Sequence, residues 1–372
     1  MASRRRFALP AVLAGVIGLG AGMPALAAGS RPRLAPETPA QLIAAVLAHR
    51  STPLSGGVAW TPDLGLPSLS SLQGGGQGLP AAGAFDPTSL LTTPQTFSVW
   101  VNGSEERIAA STSLAESDVL RVGSEVWLWN SATQHVTRLL VPTPGSPPSA
   151  SPVDPQTLAA GFVRRLQAAG TDVSVGTPTY VAGVAAQVLQ LSPADPATST
   201  VSAVDIAVDP TNGAVLQVTV LAAGQARPAL QVGFTWVRFA APAQSVFAPP
   251  RGRTTTTKIL TSRGFVNATG HAGWYAYAPL TPTTALPGIA SASPPRLFGS
   301  GWSTFALVKL PARSPAVAAL EAAATPVTSG RLLRSSLLDV LFFPDGYALV
   351  GFVPPAVLEA DAASLAGCST RA

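Results

Sequence analysis

Cysteine is almost absent: 372 residues contain one, Cys368, so neither an internal disulfide framework nor a Cys-based zinc site is available. Three histidines, His49, His135 and His271, stand far apart and offer little for a metal centre. Charge is also scarce, at 11% of residues against roughly 25% in soluble domains. Lysine occurs at Lys258 and Lys309 alone, and no dense Lys/Arg stripe exists, which argues against nucleic-acid binding. No serine stands in a G-x-S-x-G elbow, and no phosphate loop or dinucleotide fingerprint is present. Glu105-Glu106 is the nearest thing to an acid/base pair. Adjacent residues point to opposite faces of a strand, and the pair is expected in a solvated turn. His135 reads as a half-buried packing residue within a strand. The sequence therefore names no catalytic residue, no metal ligand and no cofactor.

What is plentiful is apolar surface and chain reversal. Hydrophobic residues make up 47%, and 34 glycines with 36 prolines give many turns. Disorder would require the opposite balance of low hydrophobicity and high net charge. The formal charge of +5 includes Arg4, Arg5 and Arg6 of a leader; without them 20 basic residues face 18 acidic ones. The balance is uneven. Residues 28–244 carry 10 basic and 13 acidic groups, and residues 245–372 carry 10 and 5. An excess of positive charge on the second part could meet an anionic surface.

Residues 1–27 have the three parts of an export signal: the arginines, an apolar run from Phe7 to Met23, and Ala25-Leu26-Ala27 as an A-x-A cleavage pattern. Ser3-Arg4-Arg5-Arg6-Phe7 also fits a twin-arginine signal loosely. Pro10 and the short length of the run weigh against a permanent span, although an uncleaved N-terminal anchor is the alternative. The expected location is outside the cytoplasmic membrane, in the envelope or beyond it, as a soluble chain.

Thr38-Pro39-Ala40-Gln41 predicts a capped helix start, with Leu42, Ala45, Val46 and His49 on one face. A strand is expected near Ser55–Thr61. Residues 62–94 form a long Gly/Pro-rich segment with Gly74-Gly75-Gly76 and scattered leucines, among them Leu64, Leu66, Leu69 and Leu72. Structureless loops of this length are often functional. From Gln95 onward the pattern is that of an antiparallel meander: Phe97–Val101, Arg107–Ser111, Asp118–Val122, Glu125–Trp129 and His135–Leu139, with turns at Asn102-Gly103 and Gly123. A second helix is expected from Asp154 to Ala169, with Leu158, Phe162, Val163 and Leu166 on one face. Strands follow near 173–181, 184–191, 202–208, 214–221 and 229–238. Residues 241–257 read as a linker, and 258–366 as a smaller second unit with a hairpin at Asp345-Gly346.

Trp127 and Trp129 share one strand face, as do Val99 and Val101, with Trp100 on the other face of its strand. Two readings of this apolar sheet stay open. It could close round an ordinary filled core, or its concave face could line an apolar cavity.

Gly123-Ser124-Glu125-Val126-Trp127-Leu128-Trp129-Asn130, followed by Gln134-His135-Val136-Thr137, resembles a stretch of the LolA-type carrier proteins, with Trp129 in place of the usual Tyr and Val126 in place of Leu. Leu54-Ser55-Gly56, the loop Asp63–Leu69 and Val204–Asp209 with Gly213 look like the secreted actinobacterial branch of that superfamily. The resemblance covers about residues 40–240. Gly301-Trp302-Ser303 and Leu341–Phe352 look like that branch's extra C-terminal domain, and the two-domain layout is similar to RseB-like anti-sigma regulators.

The resemblance implies an α+β fold: an incomplete antiparallel β-barrel over residues 38–240, wrapped over helices, plus a smaller C-terminal α+β domain. It implies a non-enzymatic carrier or binder of an acylated ligand (a lipid, a glycolipid or lipoprotein acyl chains), met at the outer face of the cytoplasmic membrane. Val99, Trp100, Val126, Trp127, Leu128, Trp129 and Trp236 are the candidate cavity wall, and the leucines of 62–94 the candidate lid. The alternative is an envelope sensor that binds a membrane anti-sigma factor or another signalling protein through its basic C-terminal domain.

Overall fold

The computed structural model describes residues 31–49, 52–66, 87–111, 116–140, 155–166, 170–249, 254–259, 296–310 and 315–369. The stretch expected to be a leader, 1–27, and Leu69 and Leu72 lie outside these residues.

Two sheets organise the chain. The first has 13 strands: β1 (Leu54–Pro62), β2 (Gln95–Asn102), β3 (Glu105–Ser111), β4 (Glu116–Val122), β5 (Glu125–Asn130), β6 (His135–Leu140), β7 (Thr171–Val175), β8 (Thr179–Val181), β9 (Val184–Pro193), β10 (Val201–Val208), β11 (Val215–Ala222), β12 (Pro228–Arg238) and β13 (Thr254–Ile259). Its order is β13-β6-β5-β4-β3-β2-β1-β12-β11-β10-β9-β7, with β8 on β9. Among the described residues the two ends do not meet, so the sheet is an open one and no closed barrel forms. The turns β2–β3 and β4–β5 are two-residue reversals led by Gly103 (φ +62°) and Gly123 (φ +59°). A positive φ at the first turn position is what a type II′ hairpin demands and glycine supplies without strain.

Among the described residues, antiparallel neighbours account for every pairing of this sheet except one: β13 runs parallel to β6, Thr254 opposite His135 and Ile259 opposite Leu140. The sequence places much of this stretch in a linker. Its chemistry explains the difference: Thr254–Thr257 is a run of β-branched residues suited to an edge strand. Just before it, the single turn Gln244–Phe247 buries Phe247 (3% exposed) against β3 and β4.

Three helices cover one face of the sheet. α1 (Pro39–Ala48) begins at Thr38, whose hydroxyl accepts from the Gln41 amide while the Gln41 side chain accepts from the Thr38 amide. This reciprocal pair satisfies two donors that a helix start leaves open. α2 (Pro87–Thr92) lies within the segment expected to be a loop, and α3 (Pro155–Leu166) starts on proline. The Gln156 side chain joins the layers: it donates to the Val46 carbonyl of α1 and accepts from the Val215 amide of β11, both at 2.8 Å. Leu42, Val46, Leu90, Leu158 and Val163 from the helices meet Val58, Phe97, Leu189, Ile206 and Val232 from the sheet.

The second sheet runs β14 (Arg296–Phe298), β15 (Phe305–Lys309), β19 (Tyr347–Gly351), β18 (Asp339–Phe342), β17 (Gly330–Leu333), β16 (Thr325–Val327). Helices α4 (Pro315–Ala323) and α5 (Pro355–Ser369) flank it: Val317 and Leu320 of α4 pack with Val340, Phe342 and Val350, and Leu358 of α5 packs with Leu332, Leu341 and Leu349. The alternation of partners follows from the period of two along β18 and β19.

The two sheets are joined by packing as well as by chain. Trp302 and Leu337 belong to the first sheet's core. The Phe352 carbonyl accepts from the Thr200 amide and the Ser199 hydroxyl, each at 2.9 Å, and Trp302 Nε1 donates to Thr171 Oγ1 at 2.8 Å.

Candidate functional site

Register decides which side chains share a face. Across the meander, Gly56, Val99, Ile108, Val119 and Leu128 stand directly opposite one another on successive strands. Phe97 and Val99 on this row's side belong to the helix-covered core, so this is the concave face. The neighbouring row, Gly57, Ser98, Ala109, Asp118 and Trp129, lies on the convex face, and Trp236 joins it opposite Gly57. Trp100, Arg107, Leu120, Trp127 and Arg138 form a further convex row.

The seven candidate wall residues therefore divide. Val99, Val126 and Leu128 face the helices; Trp100, Trp127, Trp129 and Trp236 face away from them. One cavity cannot be lined by both sets, because alternate residues of β5 point to opposite sides. Of the candidate lid leucines, Leu64 is buried in the first core (8% exposed), and Leu66 packs against both the first core and the α4 side of the second sheet. Their backbone is tied as well: Asp63 donates to the Ala229 carbonyl at 2.8 Å, and Ser336 donates to the Leu64 carbonyl at 2.9 Å. This start of the long segment is an anchor between the two sheets.

The concave face is covered unevenly. α1 and α3 make their main sheet contacts with β7, β9 and β11, and α2 with β1. Trp60 of β1 is buried and its Nε1 donates to the Leu90 carbonyl of α2 at 2.6 Å. Beyond α2, toward β4 and β5, Val101, Val119 and Leu128 are only half-buried beside the buried Val99, Ile108 and Val126. The result is an apolar strip running away from the helices. In the row that borders it toward the hairpin turns, between Val101 and Val126, Glu106 and Arg121 stand opposite each other on β3 and β4, paired at 3.7 Å with side chains 14% and 15% exposed. Glu106 thus lies in a ladder and in an ion pair, not in a solvated turn. A guanidinium kept largely from water beside apolar side chains is a fitting terminus for an acyl chain that ends in a polar or anionic group.

The convex tryptophans have a different setting. Arg107 stacks over Trp100 at 5.5 Å and pairs with Asp118; Arg138 stacks over Trp127 at 5.0 Å and pairs with Glu125. Such pairs lock the indoles in place. Asp118 is 6% exposed, and burial pushes its carboxyl up to about 6 despite the opposing Arg107, with Glu116 adding to the rise. Arg107 also donates to the Val246 carbonyl at 3.3 Å, holding the turn that buries Phe247 against β3 and β4. Of the four, Trp236 is the open one, at 50% exposure. It lies flat against β1, where a Cβ on Gly57 would come within 2.4 Å of its Nε1.

No group of three or more His, Cys, Asp or Glu able to hold a metal ion occurs among the described residues, and none of their helices is long and apolar enough to cross a membrane.

No family model matches the sequence, and no curated protein does. Solved structures do. The chain is similar to MucB in complex with MucA(peri), with 16% identity over 87% of this chain and 95% of that one and a TM-score of 0.42. A MucA/MucB complex from Pseudomonas aeruginosa gives 16% identity over the same shares and a TM-score of 0.39. A LolA superfamily protein from Nitrosomonas europaea is similar over 57% of this chain and 98% of its own, with 11% identity and a TM-score of 0.23. These are loose likenesses of shape alone.

The sequence singles out the tryptophans, the leucines, Val99 and Val126 and sets Val101 on the face of Val99 without naming it a wall residue, but it misses Ile108, Val119 and the Glu106–Arg121 pair. The period-two pattern carries them, yet only cross-strand register shows which rows coincide.

Proposed function

We propose that the protein is an exported, non-enzymatic binder of an acylated hydrophobic ligand in the cell envelope, and that the acyl chain lies along the concave strip of β2–β5. The observation that carries this reading is the half-buried apolar patch of Val119 and Leu128 in one cross-strand row and Val101 in the next, continuous with a buried core yet beyond the main contacts of the described helices. Each buried methylene contributes roughly 0.8 kcal/mol, so a chain of ordinary length supplies ample affinity. Arg121 would meet the polar end of the ligand, and α2, held by Trp60 and Leu90, would shift to admit the chain. The leader supports export, and the resemblance of the β5–β6 stretch to LolA-type carriers supports the ligand class.

The test is native mass spectrometry with organic extraction on the purified chain and on its Leu128→Asp variant. A co-purifying lipid mass in the parent, lost or reduced at least tenfold in the variant, is the expected result. A parent free of extractable lipid after secretion from a native-type host would overturn the reading.

Binding of an envelope signalling protein is the second reading, favoured by the excess of basic residues in 245–372, 10 against 5 acidic. Part of that charge is already used: Arg331 donates to the Glu321 and Ala324 carbonyls at the end of α4. A complex captured from membrane extract that weakens as salt rises would support this reading, since exposed charges are screened within about 10 Å at 0.1 M.

A further inference from the structure

On the convex side of β9–β11, away from the acyl strip, the sheet carries a cleft of about 360 Å³. Its floor is two adjacent cross-strand rows. Gln190, Asp205 and Thr219 stand opposite one another on β9, β10 and β11; beside them stand Val188, Ala207 and Gln217. One row is polar, and the other begins with two small apolar side chains. Gly176 and the Thr177–Thr179 stretch, where the chain passes from β7 to β8, raise one wall, and the Gly176 amide is fixed to the Val188 carbonyl at 2.8 Å.

The polar groups are organised by one another. Gln190 Nε2 donates to Asp205 Oδ1 at 2.9 Å, Gln217 Nε2 donates to Thr219 Oγ1 at 3.1 Å, and Gln231 of β12 donates to Gln217 Oε1 at 3.4 Å. Gln217 lies down because β12 has Gly233 opposite it: a Cβ there would come within 2.8 Å of Gln217 Cγ. Among the described residues the lining includes one carboxylate and no basic group. An ordinary solvated sheet face would be flat and rich in Lys and Glu. This one is recessed, has fixed amides and hydroxyls, and sets them beside an apolar strip.

We propose that this cleft is a second binding site, for a neutral carbohydrate. A pyranose presents just this division, with C–H groups on its face and hydroxyls at its edge. The face would rest on Val188 and Ala207, while the hydroxyls exchange hydrogen bonds with Gln190, Asp205, Gln217 and Thr219. The volume is within the roughly 300–1,000 Å³ range of small-ligand sites. Anions are disfavoured by Asp205 and by the lack of a base in the lining.

The test titrates maltotriose, cellotriose and mannotriose into the purified chain by calorimetry, up to millimolar concentration, with butylamine as a cationic control. Asp205→Asn removes the carboxylate at constant size, and Thr177→Trp blocks the exposed rim; circular dichroism checks that each variant folds. Saturable binding of at least one trisaccharide, weakened tenfold or more in both variants, is expected. Three results overturn the proposal: no binding of any trisaccharide, binding that both folded variants retain, or binding of butylamine alone, abolished by salt and by Asp205→Asn. Extractable lipid, measured on the same variants, should be unchanged, so this site and the acyl strip fail or stand separately.

Discussion

At the scale of single residues, the most consequential group outside the sites is Asp339. It is 2% exposed at the start of β18 and accepts from the Ser335 amide at 3.1 Å. Burial raises its carboxyl to about 6, against the opposing Ser335 hydrogen bond and Arg334. The folded state therefore holds this proton more tightly than the unfolded chain, whose carboxyl titrates near 3.8. Between those values the native state binds more protons, so stability falls as pH rises from about 4 to 6 and is level above. The loss over that window is at most about 3 kcal/mol for this group, since a tenfold change in proton affinity is worth about 1.4 kcal/mol. Asp339→Asn keeps an oxygen for the Ser335 amide. Its melting temperature, followed from pH 4 to 7 beside the parent's, should lack that part of the decline. Asp118, raised in the same direction, contributes a parallel slope that the variant retains. An unchanged pH profile would mean that Asp339 is not the source.

At the scale of elements, α2 is the telling case. It has six residues, too few to be stable alone, so it exists through what it touches. Leu90 is 2% exposed, and Trp60 Nε1 holds its carbonyl. Trp60→Phe keeps most of the ring's packing and removes the donor. The expected cost is about 1 kcal/mol of global stability, with faster amide exchange confined to 87–92 and to the neighbouring end of β1. Exchange that speeds up throughout the sheet instead would show that α2 is no separable element. Sequence pattern reads the meander well, because tight turns and alternation are local: Gly103 and Gly123 sit where the hairpins reverse. It reads neither α2 nor β13. α2 depends on a tryptophan thirty positions earlier, and β13 pairs parallel with a strand more than a hundred residues away. Contacts of that kind leave no local period.

At the scale of the whole molecule, the two sheets behave as a coupled pair. Leu337 sits between β17 and β18 of the second sheet, is 0% exposed, and packs in the first sheet's core; its carbonyl accepts from Thr200 Oγ1. Leu337→Ala should cost about 2–5 kcal/mol. In the parent, denaturant unfolding followed by tryptophan emission and by far-ultraviolet dichroism should give one shared midpoint. In the variant both probes should shift together; a shift of one probe alone would show that the sheets unfold independently. This coupling also places the start of segment 62–94, through Leu64 and Leu66, at the seam of the two sheets, where movement of one would be felt by the other.

The sequence by itself determined the scarcity of cysteine, histidine and lysine, the succession of short strands and the capped first helix. Each of these is written in composition or in spacing of a few residues. The tertiary structure alone decided which apolar residues share a face and a row. Trp127 and Leu128 are neighbours in sequence and lie on opposite faces of the sheet, while Val99 and Leu128 share a row through three intervening strand pairings. The same holds for the polar cleft, whose Gln190, Asp205 and Thr219 are ordinary alternating residues until register sets them side by side. The physical reason is that a strand fixes only the side on which each residue points, and hydrogen-bonded pairing between distant strands fixes which residues meet.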